Sequence, residues 1–227
     1  MSTPPPQFDP RSVPVHASDE DRRLRPAPAQ RLTPQGMRDL FTNPPSWSPE
    51  LRREPPFGSR SPAHAAVLLP LVMRDELTLL LTQRTVHLST HSGQIALPGG
   101  KMDEGDADAT AAALRETHEE IGLPPGQVEV IGSLPEYVTG TAFIVTPVVG
   151  LVHLPLDLQP NPHEVDDVFE VPLSFLMDPA HHRRHRAEFE GVAREWFSMP
   201  YEDGMAERFI WGATAGMLRN FYRFLSA

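Results

Sequence analysis

Glu116, Glu119 and Glu120 stand at i, i+3 and i+4 in the run "RETHEE", so a helix through them sets three carboxylates on one face. Like charges so placed cost about 0.2–0.5 kcal/mol per exposed pair, and more where solvent is partly excluded. One reading is a solvated acidic face. The other is a site for a hard divalent cation such as Mg²⁺, which takes oxygen ligands and cancels the repulsion. The loop just upstream favours the cation. In "LPGGKMDEG", Gly99 and Gly100 allow positive φ and close backbone approach where a phosphate-bearing substrate would sit.

Two other readings fail on spacing. Lys101 is not a P-loop lysine, because no glycine stands five residues before Gly100 and Met102 occupies the Ser/Thr position. "HEEIG" is not a zinc-protease helix, because Gly122 stands where the second histidine of H-E-x-x-H belongs.

The elements that must position these groups follow from periodicity. The acidic helix is predicted over residues 108–121, with Thr110, Leu114, Thr117 and Ile121 as its packing stripe and Gly122 with "LPPG" as its stop. Upstream, "AHAAVLLPLVM" and "ELTLLLTQRT" are apolar runs parted by "RDE", which reads as a hairpin or two adjacent buried strands. "HLSTHSGQIALPGGKMDEG" is then a long loop into the helix. Downstream, "GQVEVIGSLPEYV" and "AFIVTPVVGLVHL" are β-rich, and "HEVDDVFEVPLSFLM" is a strand followed by a short helix from near Leu173. "HHRRHRAEFEGVAREWFSMPYEDG" is a hairpin turning at Gly191, and "IWGATAGMLRNFYRFLSA" a helix with Leu218, Phe221 and Leu225 inward. Strands with helices at intervals predict an α/β or α+β fold around a mixed sheet.

Proline usage divides the chain. Fourteen of the 26 prolines fall within residues 1–62. Residues 1–30 are expected to form a disordered or loosely attached tail, and 31–62 a short helix capped by Thr33 plus an extended connector. Residues 63–227 are expected to be the folded domain. The absence of cysteine excludes disulfides and thiolate metal sites and points to a reducing cytoplasm. The longest apolar run, residues 65–73, is too short for a bilayer, and the N-terminus lacks the apolar core of a signal peptide. No membrane partner is expected. A net charge of -10 argues against a nucleic-acid partner.

The acidic segment resembles the Nudix box, G-x5-E-x7-R-E-U-x-E-E-x-G-U. Gly100, Arg115, Glu116, Glu119, Glu120, Gly122 and Leu123 match as they stand. Asp106 replaces the first glutamate, eight residues instead of seven separate it from Arg115, and Thr117 takes the first bulky position. The resemblance implies an α/β/α sandwich with a mixed sheet, and hydrolysis of a nucleoside diphosphate linked to another moiety. It also implies Mg²⁺ or Mn²⁺ on Glu116, Glu119 and Glu120, with Arg115 orienting a glutamate through an ion pair. It is compatible with a homodimer.

Upstream, "LLTQRTVHLSTHSGQIALPGG" resembles the pattern of Nudix enzymes that cleave coenzyme A, keeping Leu80, Leu81, Thr82, Arg84, Gly93, Pro98, Gly99 and Gly100. Thr85, Ser89 and Leu97 depart from it, and Ser89 removes a cation that could meet a phosphate. The implied reaction yields 3′,5′-adenosine diphosphate and 4′-phosphopantetheine. ADP-ribose, NADH or a damaged nucleotide is the rival substrate inside the fold. A non-catalytic nucleotide-binding module is the rival of another class, though such modules generally lose box glutamates.

Substrate contact is assigned to Arg84, Gly99 and Gly100, with pairing to a nearby acid as the alternative for Arg84. Glu164, in "NPHEVDD", is either a base or extra ligand, as some Nudix enzymes place one there, or an ordinary loop acid. His181, His182 and His185 read as solvated, one of Arg183, Arg184 and Arg186 as a possible contact to a 3′-phosphate, and Trp196, Phe197, Trp211 and Phe221 as core.

Overall fold

The computed structural model describes residues 9–16, 18–59, 61–85, 93–189 and 191–227, apart from the side chain of Phe189. Its strands, in chain order, are β1 (Ala63–Met73), β2 (Leu77–Arg84), β3 (Ile95–Ala96), β4 (Gly99–Lys101), β5 (Val128–Ser133), β6 (Tyr137–Val138), β7 (Phe143–Val152), β8 (Val165–Pro172), β9 (Arg183–Phe189), β10 (Val192–Glu202) and β11 (Glu207–Trp211). The helices are α1 (Pro34–Thr42), α2 (Ala109–Ile121), α3 (Leu173–Leu176) and α4 (Gly212–Ser226).

β1 and β2 form the antiparallel hairpin expected of two apolar runs, and β1 lies parallel to β7 from Ala63 opposite Phe143 to Val72 opposite Val152. A parallel pair needs a crossover, and α2 lies within the intervening chain. β5 and β6 pair antiparallel with β7, and β8 with β2, which completes a mixed sheet. Side-chain alternation along the strands divides the core into two layers. Leu80 and Val148 pack with Ala112, Ala113 and Ile121 of α2, while Leu79, Leu81 and Val149 pack with Met37 of α1 and Leu218 and Phe221 of α4. The antiparallel sheet β9–β10–β11 joins that second side.

β3 and β4 fall inside the stretch expected as one long loop. Strands of two or three residues carry no readable periodicity, and their partners β2 and β1 are distant in sequence. Residues 86–92, including Ser89, lie outside the described residues.

The expected loose tail differs more. Its described part and the connector lie on the domain, where Asp21 and Glu50 meet the buried Arg219. Arg219 is fully buried in α4, and its guanidinium bonds Asp21 at 2.7 Å and Glu50 at 2.7 Å. Arg184 of β9 bonds the same two acids at 2.7 Å each, and Arg223 reaches Glu50 at 2.6 Å. Burial alone would raise the proton affinity of Glu50, but Arg219, Arg223 and Arg184 hold its pKa down at about 2. The histidines also depart from the solvated reading. His182 and His185 are buried, and desolvation pushes His182 down to about 4. No described helix is long and apolar enough to cross a membrane.

Glu50 therefore ties residues outside the sheet to its core. Removing one partner of a buried ion pair leaves an uncompensated charge, a loss of about 3–5 kcal/mol. Glu50→Ala is expected to lower urea-unfolding stability by about 3 kcal/mol at pH 7, because Arg219 keeps Asp21. Since the folded pKa lies below the ordinary 4.5, wild-type stability from this group is complete above about pH 5 and is lost as pH falls towards 2. Urea titrations of both proteins between pH 3 and 7 check this: the difference between them should shrink on acidification.

Candidate active site

α2 begins where Asp108 accepts a hydrogen bond from the Ala111 N–H at 2.8 Å, and ends at Gly122, whose φ of 72° is the left-handed conformation of a helix stop. Between these caps the glutamates do not share one environment. The residues buried along α2 are Ala112, Ala113, Thr117, Glu120 and Ile121, so Glu120 belongs to the packed stripe. Its side chain is 4% exposed, against 19% for Glu116 and 58% for Glu119. The single acidic face expected from i, i+3, i+4 spacing is thus graded from solvent to core.

β4 meets this gradient edge-on. Glu120 Oε2 accepts from the Gly99 N–H at 3.0 Å, and Arg84 Nη1 lies 3.5 Å from Glu120 Oε1. Burial raises the Glu120 pKa. The Gly99 N–H and Arg84 oppose that rise, Glu164 and Glu116 add to it, and the result is about 7. Glu116 is also raised by desolvation, against the lowering effect of Arg115.

The two glycines are required by packing. Gly99 has φ 143°, and a Cβ there would collide with the Ala66 carbonyl and the Val67 backbone of β1. A Cβ on Gly100 would strike the Glu116 carboxylate. Their lack of side chains, read from sequence as room for a diphosphate, lets β4 approach β1 and α2 closely enough to hold Glu120 and Glu116.

Arg115 fixes the outer part. Its Nε and Nη2 bond both oxygens of Asp106 at 2.9 and 2.8 Å, while Nη1 bonds Glu116 Oε1 at 2.9 Å and Glu119 Oε2 at 3.2 Å. Asp106 thus reaches the arginine despite the extra residue in the loop, and this fork holds its pKa at about 2.

Glu164 sits in the loop that closes the other side. Asn161 donates its N–H to the Glu120 carbonyl at 2.8 Å and its side-chain amide to Glu164 Oε1 at 3.2 Å. The Thr85 N–H donates to the Glu164 carbonyl at 3.0 Å, which ties the loop to the end of β2. Arg84 leaves its buried Nε without a hydrogen-bond partner among the described residues. All eight positions singled out from sequence therefore lie on adjoining parts of α2, β2, β4 and the 161–164 loop.

A cavity of about 470 Å³ opens beside Arg84, Gly99 and Gly100, with Phe57, Trp196 and Trp211 among its lining residues. Trp196 and Trp211 were expected in the core with Phe197 and Phe221. The latter two are fully buried, whereas the tryptophans line this space. Both tryptophans lie on β10 or β11, and nothing local in the sequence separates a cavity wall from a core position. Arg184, weighed as a phosphate contact, is committed to Asp21, Glu50 and Glu195.

The donor chemistry suits a hard divalent cation: carboxylate oxygens, two of them on partly or wholly buried groups with raised proton affinity. Among the described residues no three acidic or imidazole groups are already gathered as a metal cage, and Arg115 holds Glu116 and Glu119. A cation would compete with that guanidinium for oxygens.

A family model described as the NUDIX domain matches residues 62–208. The chain is 43% identical over 172 residues to the uncharacterized Nudix hydrolase NudL of Shigella flexneri serotype 5b, spanning 75% of this chain and 85% of that protein. The same identity and coverage hold for the uncharacterized Nudix hydrolase NudL of Escherichia coli strain K12. Among solved structures, a binary complex of the C. elegans Ap4A hydrolase superposes with a TM-score of 0.41 at 25% identity, covering 49% of this chain and 80% of that one. A MutT/nudix family protein from Enterococcus faecalis reaches 0.44 at 17% identity, covering 84% and 74%. The chain belongs to the Nudix family and is one of its hydrolases.

Because Gly100 abuts the Glu116 carboxylate, Gly100→Ala must move that group. A displacement of about 1 Å in such a site can cost about 100-fold in rate. Gly100→Ala is expected to lose about that much diphosphate hydrolysis, while Gly105→Ala, where an added Cβ meets nothing within 4 Å, stays near wild type. Initial rates of the two variants check this.

Proposed function

We propose that this chain hydrolyses the diphosphate of coenzyme A or its derivatives, giving 3′,5′-adenosine diphosphate and 4′-phosphopantetheine. The observation that supports the diphosphate chemistry is the buried Glu120 carboxylate, which accepts from the N–H of Gly99, a residue that lines the cavity together with Gly100. The coenzyme A assignment is supported by the pattern from Leu80 to Gly100, in which Arg84 stands beside Glu120.

Glu116, Glu119 and Glu120 are assigned as the residues that hold Mg²⁺ or Mn²⁺. When bound, such an ion neutralises diphosphate oxygens and makes water a better nucleophile near neutral pH. The chain's own groups do the positioning. Arg84 is assigned to a phosphate oxygen, since its buried Nε is unpaired among the described residues. Arg115, braced by Asp106, keeps Glu116 and Glu119 oriented between turnovers. Glu164 is assigned to accept the proton of the attacking water as the new P–O bond forms and the bridging P–O bond breaks. The absence of cysteine fits a cytoplasmic setting.

Initial rates with coenzyme A and ADP-ribose, in Mg²⁺ or Mn²⁺ and with products identified, test this reading. Coenzyme A should give the higher kcat/KM, and Glu120→Gln should reduce turnover by about 100-fold or more. A higher kcat/KM for ADP-ribose would remove the coenzyme A assignment. No turnover of any dinucleotide would remove the hydrolysis itself.

The proton on Glu120 also sets a pH dependence. A group with a folded pKa of about 7 must lose its proton to bind a cation, so Mn²⁺ affinity should rise from pH 6 to 8. Calorimetric titration reads that rise, and Glu120→Gln should flatten it.

A further inference from the structure

The connector ahead of β1 has a use that its prolines conceal. Residues 52–57 run beside β6 as an added extended segment. The Val138 N–H donates to the Arg52 carbonyl at 2.9 Å, the Glu54 N–H to the Val138 carbonyl at 2.8 Å, and the Phe57 N–H to the Gly140 carbonyl at 2.8 Å. The Glu54 carboxylate accepts from the Tyr137 hydroxyl and from the Gly140 N–H, each at 2.8 Å. From β10, Arg194 donates to the carbonyls of Pro55 and Pro56. The same guanidinium lies 3.9 Å from the centroid of the Phe57 ring.

The Arg194 guanidinium covers one face of the Phe57 ring, and a Cβ added at Gly140 would collide with its Cδ2 and Cε2 atoms. Phe57 is nevertheless 59% exposed, and it lines the cavity that Arg84, Gly99 and Gly100 also line. An immobilised aromatic ring left open to a cavity is suited to a planar ligand, because stacking recovers apolar contact without further ordering. Pro55 and Pro56 restrict the backbone that carries it.

We propose that residues 52–57, which precede the span matched by the family model, form the specificity wall of the active site, with Phe57 as the stacking face for the substrate's nucleobase. The proposal rests on the reading that the site cleaves a nucleoside diphosphate. It places base recognition on a segment outside the Nudix box and leaves the carboxylates to the diphosphate.

Binding measurements separate the two. ADP and inorganic pyrophosphate, each with Mg²⁺, are titrated calorimetrically into wild type, Phe57→Ala and Phe57→Trp. Phe57→Ala should weaken ADP about tenfold, a typical stacking loss, and leave pyrophosphate unchanged within about twofold. Phe57→Trp should retain ADP affinity. No ADP binding by wild type, unchanged ADP affinity in Phe57→Ala, equal weakening of both ligands, or failure of Phe57→Trp to retain affinity would each overturn the proposal. Selective loss of ADP in a protein that hydrolyses no dinucleotide would uphold the wall and overturn the hydrolysis, so the two readings fail separately.

Discussion

A carboxylate placed on the packed stripe of a helix is the constraint around which this molecule is arranged. Glu120 faces the sheet together with Thr117 and Ile121, where its charged form is poorly solvated. Two neighbours answer that burial in part. The Gly99 N–H supplies one hydrogen bond and Arg84 a nearby positive charge, yet Glu116 and Glu164 push the other way. The balance leaves a proton held near neutrality, at a place where a hard cation would favour the ionised form. The tight approach of β4 to β1, and the need for glycine at two successive positions, follow from bringing a backbone N–H to that carboxylate.

Two arginine forks gather further carboxylates. Arg115 gathers Asp106, Glu116 and Glu119 at the solvent side of α2. Arg219 gathers Asp21 and Glu50 in the interior, with Arg184 on the same acids. The first organises the site and the second organises its surroundings. By fixing Glu50, the interior fork sets the start of the segment that runs through Leu51, tied to Asn220, and on to Phe57 at the cavity.

What could be read from sequence is what depends on near neighbours in the chain. The stop of α2 at Gly122, the hairpin of β1 and β2, and the turn at Gly191 are local, and they stand where periodicity and turn chemistry put them. The Glu116–Glu120 cluster was legible for the same reason. Its gradation was not, because spacing gives angles around a helix and not which angle meets the sheet. Residues 1–30 were read as a loose tail because proline density is a local signal. Their attachment comes from pairs such as Asp21 with Arg219, nearly two hundred residues apart. Trp196, Trp211 and Phe57 escaped notice as cavity residues because a pocket wall and a core share one composition. For Phe57 the only trace was an aromatic among prolines.

The central claim is that the buried glutamate and its neighbours form a divalent-cation site serving diphosphate hydrolysis. Anomalous diffraction from Mn²⁺-soaked crystals tests it most directly. The account predicts a manganese peak bounded by the carboxylates of Glu116, Glu119 and Glu120, beside Gly99 and Gly100. Manganese bound only elsewhere, with Glu120 still joined to the Gly99 N–H and Glu116 to Arg115, would contradict it.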